Sequence, residues 1–137
     1  MRVPLAAACA VALLTVGCNQ YYRSRPGALG PAKTQIAPGE RALAWQHAIG
    51  AVVEQGYIPV VLNESGGFIS AKRREDLTDD ALIGSIVTVV IAPEGTVRVE
   101  LSGAGFFSNE QDFLDAVTKR QAKIMQAIVS AHAAPPR

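Results

Sequence analysis

The stretch Leu82–Ser102, LIGSIVTVVIAPEGTVRVELS, decides the fold. Two β-branched runs flank Pro93–Glu94–Gly95. Proline has the fixed φ that the first position of a tight turn wants, and glycine accepts the left-handed last position. A three-residue loop with a G1 bulge then sets Ala92 opposite Thr96. Counting outward pairs Ile91 with Val97, Val89 with Val99 and Val87 with Leu101. These six side chains share one face, predicted to be buried. Thr88, Arg98 and Glu100 fall on the other face beside Ile86 and Val90. A slip of one residue would bury Arg98 and Glu100, so the alternation fixes the register.

Upstream, Tyr57–Asn63 and Phe68–Arg73 read as two more strands around the turn Glu64–Gly67. Pro59 cannot donate a ladder hydrogen bond, which predicts an edge strand or a bulge. Their mutual register stays open between a four-residue and a three-residue loop. Arg74–Asp80 is a polar connector.

Helices bracket these strands. After Pro38–Gly39, residues Ala42, Trp45, Ile49, Val52 and Gly56 recur at helical spacing, widened by Leu43 and Val53. Trp45 is expected as a core anchor, and Gly56 as the left-handed C-terminal cap. Ser108 and Gln111 form the capping-box pattern of a second helix. Its apolar stripe is Phe113, Val117, Ile124, Ile128 and Ala131. Gly103–Ala104–Gly105 reads as the strand break before it. The prediction is an α+β two-layer sandwich, ordered α-β-β-β-β-α. An antiparallel four-stranded sheet carries the N- and C-terminal helices on one face. The domain spans 39–132, with a tail at 133–137.

The N-terminus has another character. Met1 and Arg2 precede the uncharged residues 3–16, and polar Asn19 and Gln20 follow Cys18. The apolar run fits the ~7–15 residues of a signal-peptide h-region and is short of the roughly 20 that a spanning helix needs. Leu13–Leu14–Thr15–Val16–Gly17–Cys18 resembles the lipobox of bacterial lipoprotein precursors, with Thr15 where that family commonly has leucine. The resemblance covers residues 1–18. It implies that residues 1–17 are a cleaved signal peptide and that Cys18 carries a diacylglyceryl thioether with an acylated α-amino group. Two or more chains hold a protein firmly on a bilayer. Asn19 after the cysteine implies the outer membrane, facing the periplasm. Residues 18–38, with Pro26, Gly27, Gly30, Pro31 and Pro38, read as the lipidated cysteine and a flexible tether. As a coil this tether would reach roughly 25 Å. Tyr21, Tyr22, Arg23 and Arg25 belong either to that solvated tether or to the membrane interface.

Composition narrows the function. The chain has 137 residues and a formal net charge of +1. Loss of Arg2 would equalise the 13 basic side chains with the 12 acidic ones. A neutral balance offers no electrostatic case for nucleic acid, and it argues against charge-driven adhesion to anionic lipids. Of two cysteines, Cys9 would leave with the signal and Cys18 would be acylated, so neither a disulfide nor a thiolate metal site is expected. No catalytic or phosphate-binding motif is present. Glu75, Asp76, Asp79 and Asp80 lack the spacing of a calcium loop. Lys72–Arg73–Arg74 is a basic spot that its acidic neighbours offset. His47 and His132 lie in different helices, with His47 turned away from Trp45. An enzyme would need a cleft that gathers His47 with carboxylates such as Glu54.

No cofactor or metal is therefore expected. The expected function is a membrane-anchored envelope lipoprotein acting as a non-enzymatic protein-interaction or assembly module. Its candidate contact surface is Thr88, Val90, Arg98 and Glu100, and its partner is an unidentified envelope protein. The alternative is a module that holds a small apolar or lipid ligand between helices and sheet, near Phe68, Phe106 and Phe113. The predicted order is similar to helix-flanked four-stranded domains of small envelope lipoproteins, including an accessory component of the outer-membrane β-barrel assembly machinery.

Overall fold

The computed structural model describes residues 19–25, 29–75 and 81–133. Cys18, the segment 1–17, Asp76, Asp79, Asp80 and residues 134–137 lie outside the described residues. In chain order the elements are β1 (Gln20–Arg23), β2 (Ala32–Gln35), a 3-10 turn (Pro38–Glu40), α1 (Arg41–Glu54), β3 (Tyr57–Asn63), β4 (Phe68–Arg73), β5 (Ile83–Ile91), β6 (Thr96–Phe107) and α2 (Glu110–Ala133).

The central hairpin has the register its alternation dictates. Val87 faces Leu101, Val89 faces Val99, and Ile91 faces Val97. All six are buried. The turn closes with Gly95 N donating to Ala92 O and Ala92 N to Thr96 O, each at 2.9 Å. Gly95 has a φ of 97°, the conformation a side chain would resist. β3 and β4 pair through a four-residue turn, with Asn63 opposite Phe68. The ladder slips between Pro59 and Val61, and β3 is the outer strand of the sheet. Pro59 thus marks both an edge and a bulge, where its missing N–H costs no ladder bond.

The sheet has six antiparallel strands rather than four, ordered β1-β6-β5-β4-β3, with β2 also on β6. The two additional strands come from the segment expected as a free tether. β1 lies on residues 104–107 and β2 on residues 96–99, end to end along the same side of β6. Two side chains fill the gap between them. Ser24 Oγ accepts from Gly103 N at 3.0 Å, while Ser24 N donates to Gly103 O at 2.9 Å. Gln121 Oε1 accepts from Leu101 N at 3.0 Å, and its Nε2 donates to Gly30 O at 3.1 Å. The buried backbone of this edge of β6 thereby finds partners. Gly103–Ala104–Gly105 therefore does not end β6. A Cβ at Gly105 would lie 2.6 Å from Ala81 O, so the glycine admits a close chain within a continuing strand.

Both helices cover the face that carries the six buried hairpin residues. In α1 the buried positions are Ala44, Ala48, Ala51 and Val52, whereas Ala42, Leu43 and Val53 are exposed. The stripe is rotated from the expected one because alanines let the helix approach its neighbours closely. Trp45 sits half-buried at the core margin, its Nε1 3.5 Å from Phe68 O. Gly56 caps the helix with a φ of 91°. In α2, Phe113, Val117, Ile124 and Ile128 are buried as expected, with Met125, and Gln121 fills the missing step of the stripe. Its cap starts one residue later than Ser108: Asp112 N donates to Asn109 Oδ1 at 2.8 Å, and Asn109 Nδ2 donates to Asp112 Oδ2 at 3.3 Å. Tyr22 stacks on Phe113 at 5.6 Å, and Phe107 packs on the same ring at 5.5 Å.

Candidate functional site

A strand sends successive side chains to opposite faces, so burying one face of this sheet presents the other. The pairing defines rows across it. Ile58, Lys72, Ile86 and Ser102 form one row. Val61, Ser70, Thr88 and Glu100 form the next. Phe68, Val90, Arg98 and Lys33 continue upward. Thr88 and Val90 are half-buried between their neighbours, and Arg98 is exposed. Arg98 reaches Glu100 at 3.3 Å. The four residues singled out from the sequence therefore stand together on the uncovered face.

Apolar surface extends beyond them. On β3, Ile58 and Val60 keep 56% and 66% of their surface exposed, an unusual load for an edge strand without a charged residue. At the opposite side, Tyr21 on β1 faces Phe106 on β6, with ring centroids 5.3 Å apart. These rings are 57% and 59% exposed. Beside them a groove of about 770 Å³ is lined by Tyr21, Arg23, Arg25, Ile83, Ile86 and Ser102, among others. This corner is hidden in the sequence because its two halves are 58 or more residues apart and the residues of β1 read as linker. The alternation of exposed Tyr21 and Arg23 with covered Tyr22 and Ser24 was the available signal.

The three phenylalanines proposed to line an interior pocket do not converge. Phe113 is buried beneath α2, while Phe106 belongs to the uncovered face and Phe68 sits in a row of that same face.

The histidines, expected apart, meet. His47 Nδ1 lies 2.9 Å from His132 Nδ1, and His132 Nε2 lies 2.8 Å from Glu40 Oε2. The carboxylate can only accept, so His132 Nε2 carries a proton; in the neutral ring Nδ1 then accepts from His47 Nδ1–H. This chain links the last turn of α2 to the start of α1. It engages Glu40, and not Glu54, which stands two helical turns from His47. Among the described residues no group of three or more His, Cys, Asp or Glu side chains is placed to hold a metal, and no helix is long and apolar enough to cross a membrane.

No protein-family model matches the chain, and no curated protein sequence matches it.

Proposed function

We propose that this chain is an envelope lipoprotein, acylated at Cys18 and held on the outer membrane facing the periplasm. Its domain works without catalysis, as an interaction or assembly accessory for another envelope protein. The observation that supports this reading best is the uncovered sheet face, where Ile58, Val61, Ile86 and Val90 mix with Arg98, Glu100 and Lys72. Apolar area rimmed by charge is the composition of a contact surface. The upper rows, with Thr88, Val90 and Arg98, are the part that engages the partner. The ligand-capture alternative has less support, since the aromatic residues it needs are dispersed over different faces.

The test is crosslinking in intact cells followed by purification of the full-length chain. One specific envelope protein should be recovered, and its yield should collapse when Thr88, Val90 and Arg98 are all changed to Asp. Equal recovery with that variant refutes the surface, and a mass for the native product showing an unmodified Cys18 refutes the anchor.

A further inference from the structure

We infer that the corner of the sheet formed by Tyr21, Phe106, Ile83, Ile86, Arg23 and Arg25 is a seat for an anionic phospholipid surface. The inference rests on the proposed acylation of Cys18 and adds the second contact that acylation brings within reach. Three observations carry it.

The first is distance along the chain. Only Asn19 separates Cys18 from Gln20, the first residue of β1. Three residues span at most about 11 Å, so a lipid on Cys18 holds Tyr21 within about that distance of its own attachment point. β1 is fixed to β6, and the sheet therefore cannot drift away from the bilayer as a tethered domain would.

The second is the chemistry of what lies there. Tyr21 and Phe106 form an exposed aromatic pair across the strands. Aromatic rings of this kind settle at the level of lipid headgroups. Ile83 is 55% exposed beside them, and Ile86 lines the same groove. An exposed apolar cluster within reach of an acyl anchor has a ready place to bury its surface.

The third is charge. Arg23 and Arg25 line the groove next to these apolar side chains, matching lipid phosphates. Among the described residues of this face, Glu75 is engaged with Lys72 at 3.0 Å and Glu100 with Arg98 at 3.3 Å. Glu110 and Asp112 begin α2, in the layer behind the sheet. The mature chain is neutral overall, so the attraction is local to this corner and does not come from net charge.

The experiment uses the full chain purified from membranes, its mass measured first to establish whether Cys18 is acylated. Trp45, the only tryptophan, lies in the helical layer and serves as the internal reference. A Trp45→Phe, Phe106→Trp variant places the single fluorophore at the corner. Both proteins are incorporated in vesicles of phosphatidylethanolamine and phosphatidylglycerol with brominated acyl chains. Emission from position 106 should fall by roughly half, as expected for a ring seated about 5–10 Å into the boundary, with Trp45 in the parent protein barely quenched. Adding Arg23→Gln and Arg25→Gln should reduce that quenching at least about twofold, because each arginine near the surface contributes attraction. An acylated chain that floats with the vesicles and shows no quenching at 106 overturns the seat while leaving the anchor intact. Position 106 shielded from aqueous acrylamide in native membranes yet untouched by brominated lipid would mean that a protein covers the corner, and this also overturns it. A bare Cys18 refutes the anchor, and quenching at 106 still decides the seat.

Discussion

Replacing Ser24 with alanine separates a docked first strand from a free linker. Ser24 is buried, and its Oγ is the acceptor placed 3.0 Å from Gly103 N. Alanine keeps the Cβ and the backbone bond from Ser24 N to Gly103 O, so no appreciable cavity opens. What remains is a buried amide with no acceptor, which costs roughly 1–3 kcal/mol. In a solvated linker the same substitution would fall within about 0.5 kcal/mol of zero. Urea denaturation followed by Trp45 fluorescence reads the difference. In thermal melts each kcal/mol is worth roughly 4–8 °C for a domain of 60–100 residues, so Tm should drop by at least about 4 °C. Gln121→Ala is the companion. It strips Leu101 N of its acceptor and also leaves space in the stripe of α2, for a loss of roughly 2–4 kcal/mol. If both variants melt with the parent protein, β1 and β2 are not part of the sheet, and the membrane seat built on β1 goes with them.

Gly67→Ala is expected to be among the more damaging single-methyl changes. Gly67 has a φ of 64°, and an added Cβ would run into the carbonyl oxygen of Ile91; a Tm drop larger than that of Ser24→Ala checks this, and an unchanged Tm would refute the turn's docking. Asn109→Ala should cost about 1 kcal/mol through the lost cap of α2, whereas Ser108→Ala should cost less; equal effects in urea titrations would return the cap to Ser108. Val60→Lys should leave stability within about 0.5 kcal/mol, because Val60 is the exposed bulge residue of an edge strand. Unfolding by more than that would show that β3 is covered.

The central hairpin was legible in the sequence because three signals agreed: a Pro-Glu-Gly turn, strict alternation, and charges at Arg98 and Glu100 that forbid a slipped register. Pro59 likewise announced an edge by its missing donor. The first two strands were hidden for physical reasons. Each has only four residues, too few for a periodicity to stand out, and the part of β6 that receives β1 overlaps Gly103–Ala104–Gly105, which resembles a stop. Without packing against β6 they have no reason to be strands. The rotation of α1 was equally illegible, since alanine counts as weakly apolar in a periodicity and becomes decisive only when a second helix comes close. The histidine pair lies 85 residues apart in sequence and depends on where two helix ends meet, which no local pattern encodes. Of the candidate surface, the four residues fixed by the hairpin register were found, and the aromatic corner, which needs β1, was not.

The docking of β1 changes what the proposed anchor would do. A coil through residue 38 would let the domain turn in any direction within roughly 25 Å of the bilayer. A strand starting at Gln20 removes that freedom, so an acylated Cys18 would present the sheet to the membrane in one orientation set by its own hydrogen bonds. Arg98 lies eight residues from Phe106 along β6, on the order of 26 Å at the rise of a strand. The rows bearing Thr88, Val90 and Arg98 would then stand clear of lipid when the Tyr21–Phe106 corner is seated, at a fixed height and facing. A partner anchored in the same membrane would meet a surface already oriented toward it, and much of the rotational cost of association would have been met by folding. The same face would thus serve both proposed contacts without conflict, because its apolar area divides along the strands into an end near Phe106 and an end near Arg98.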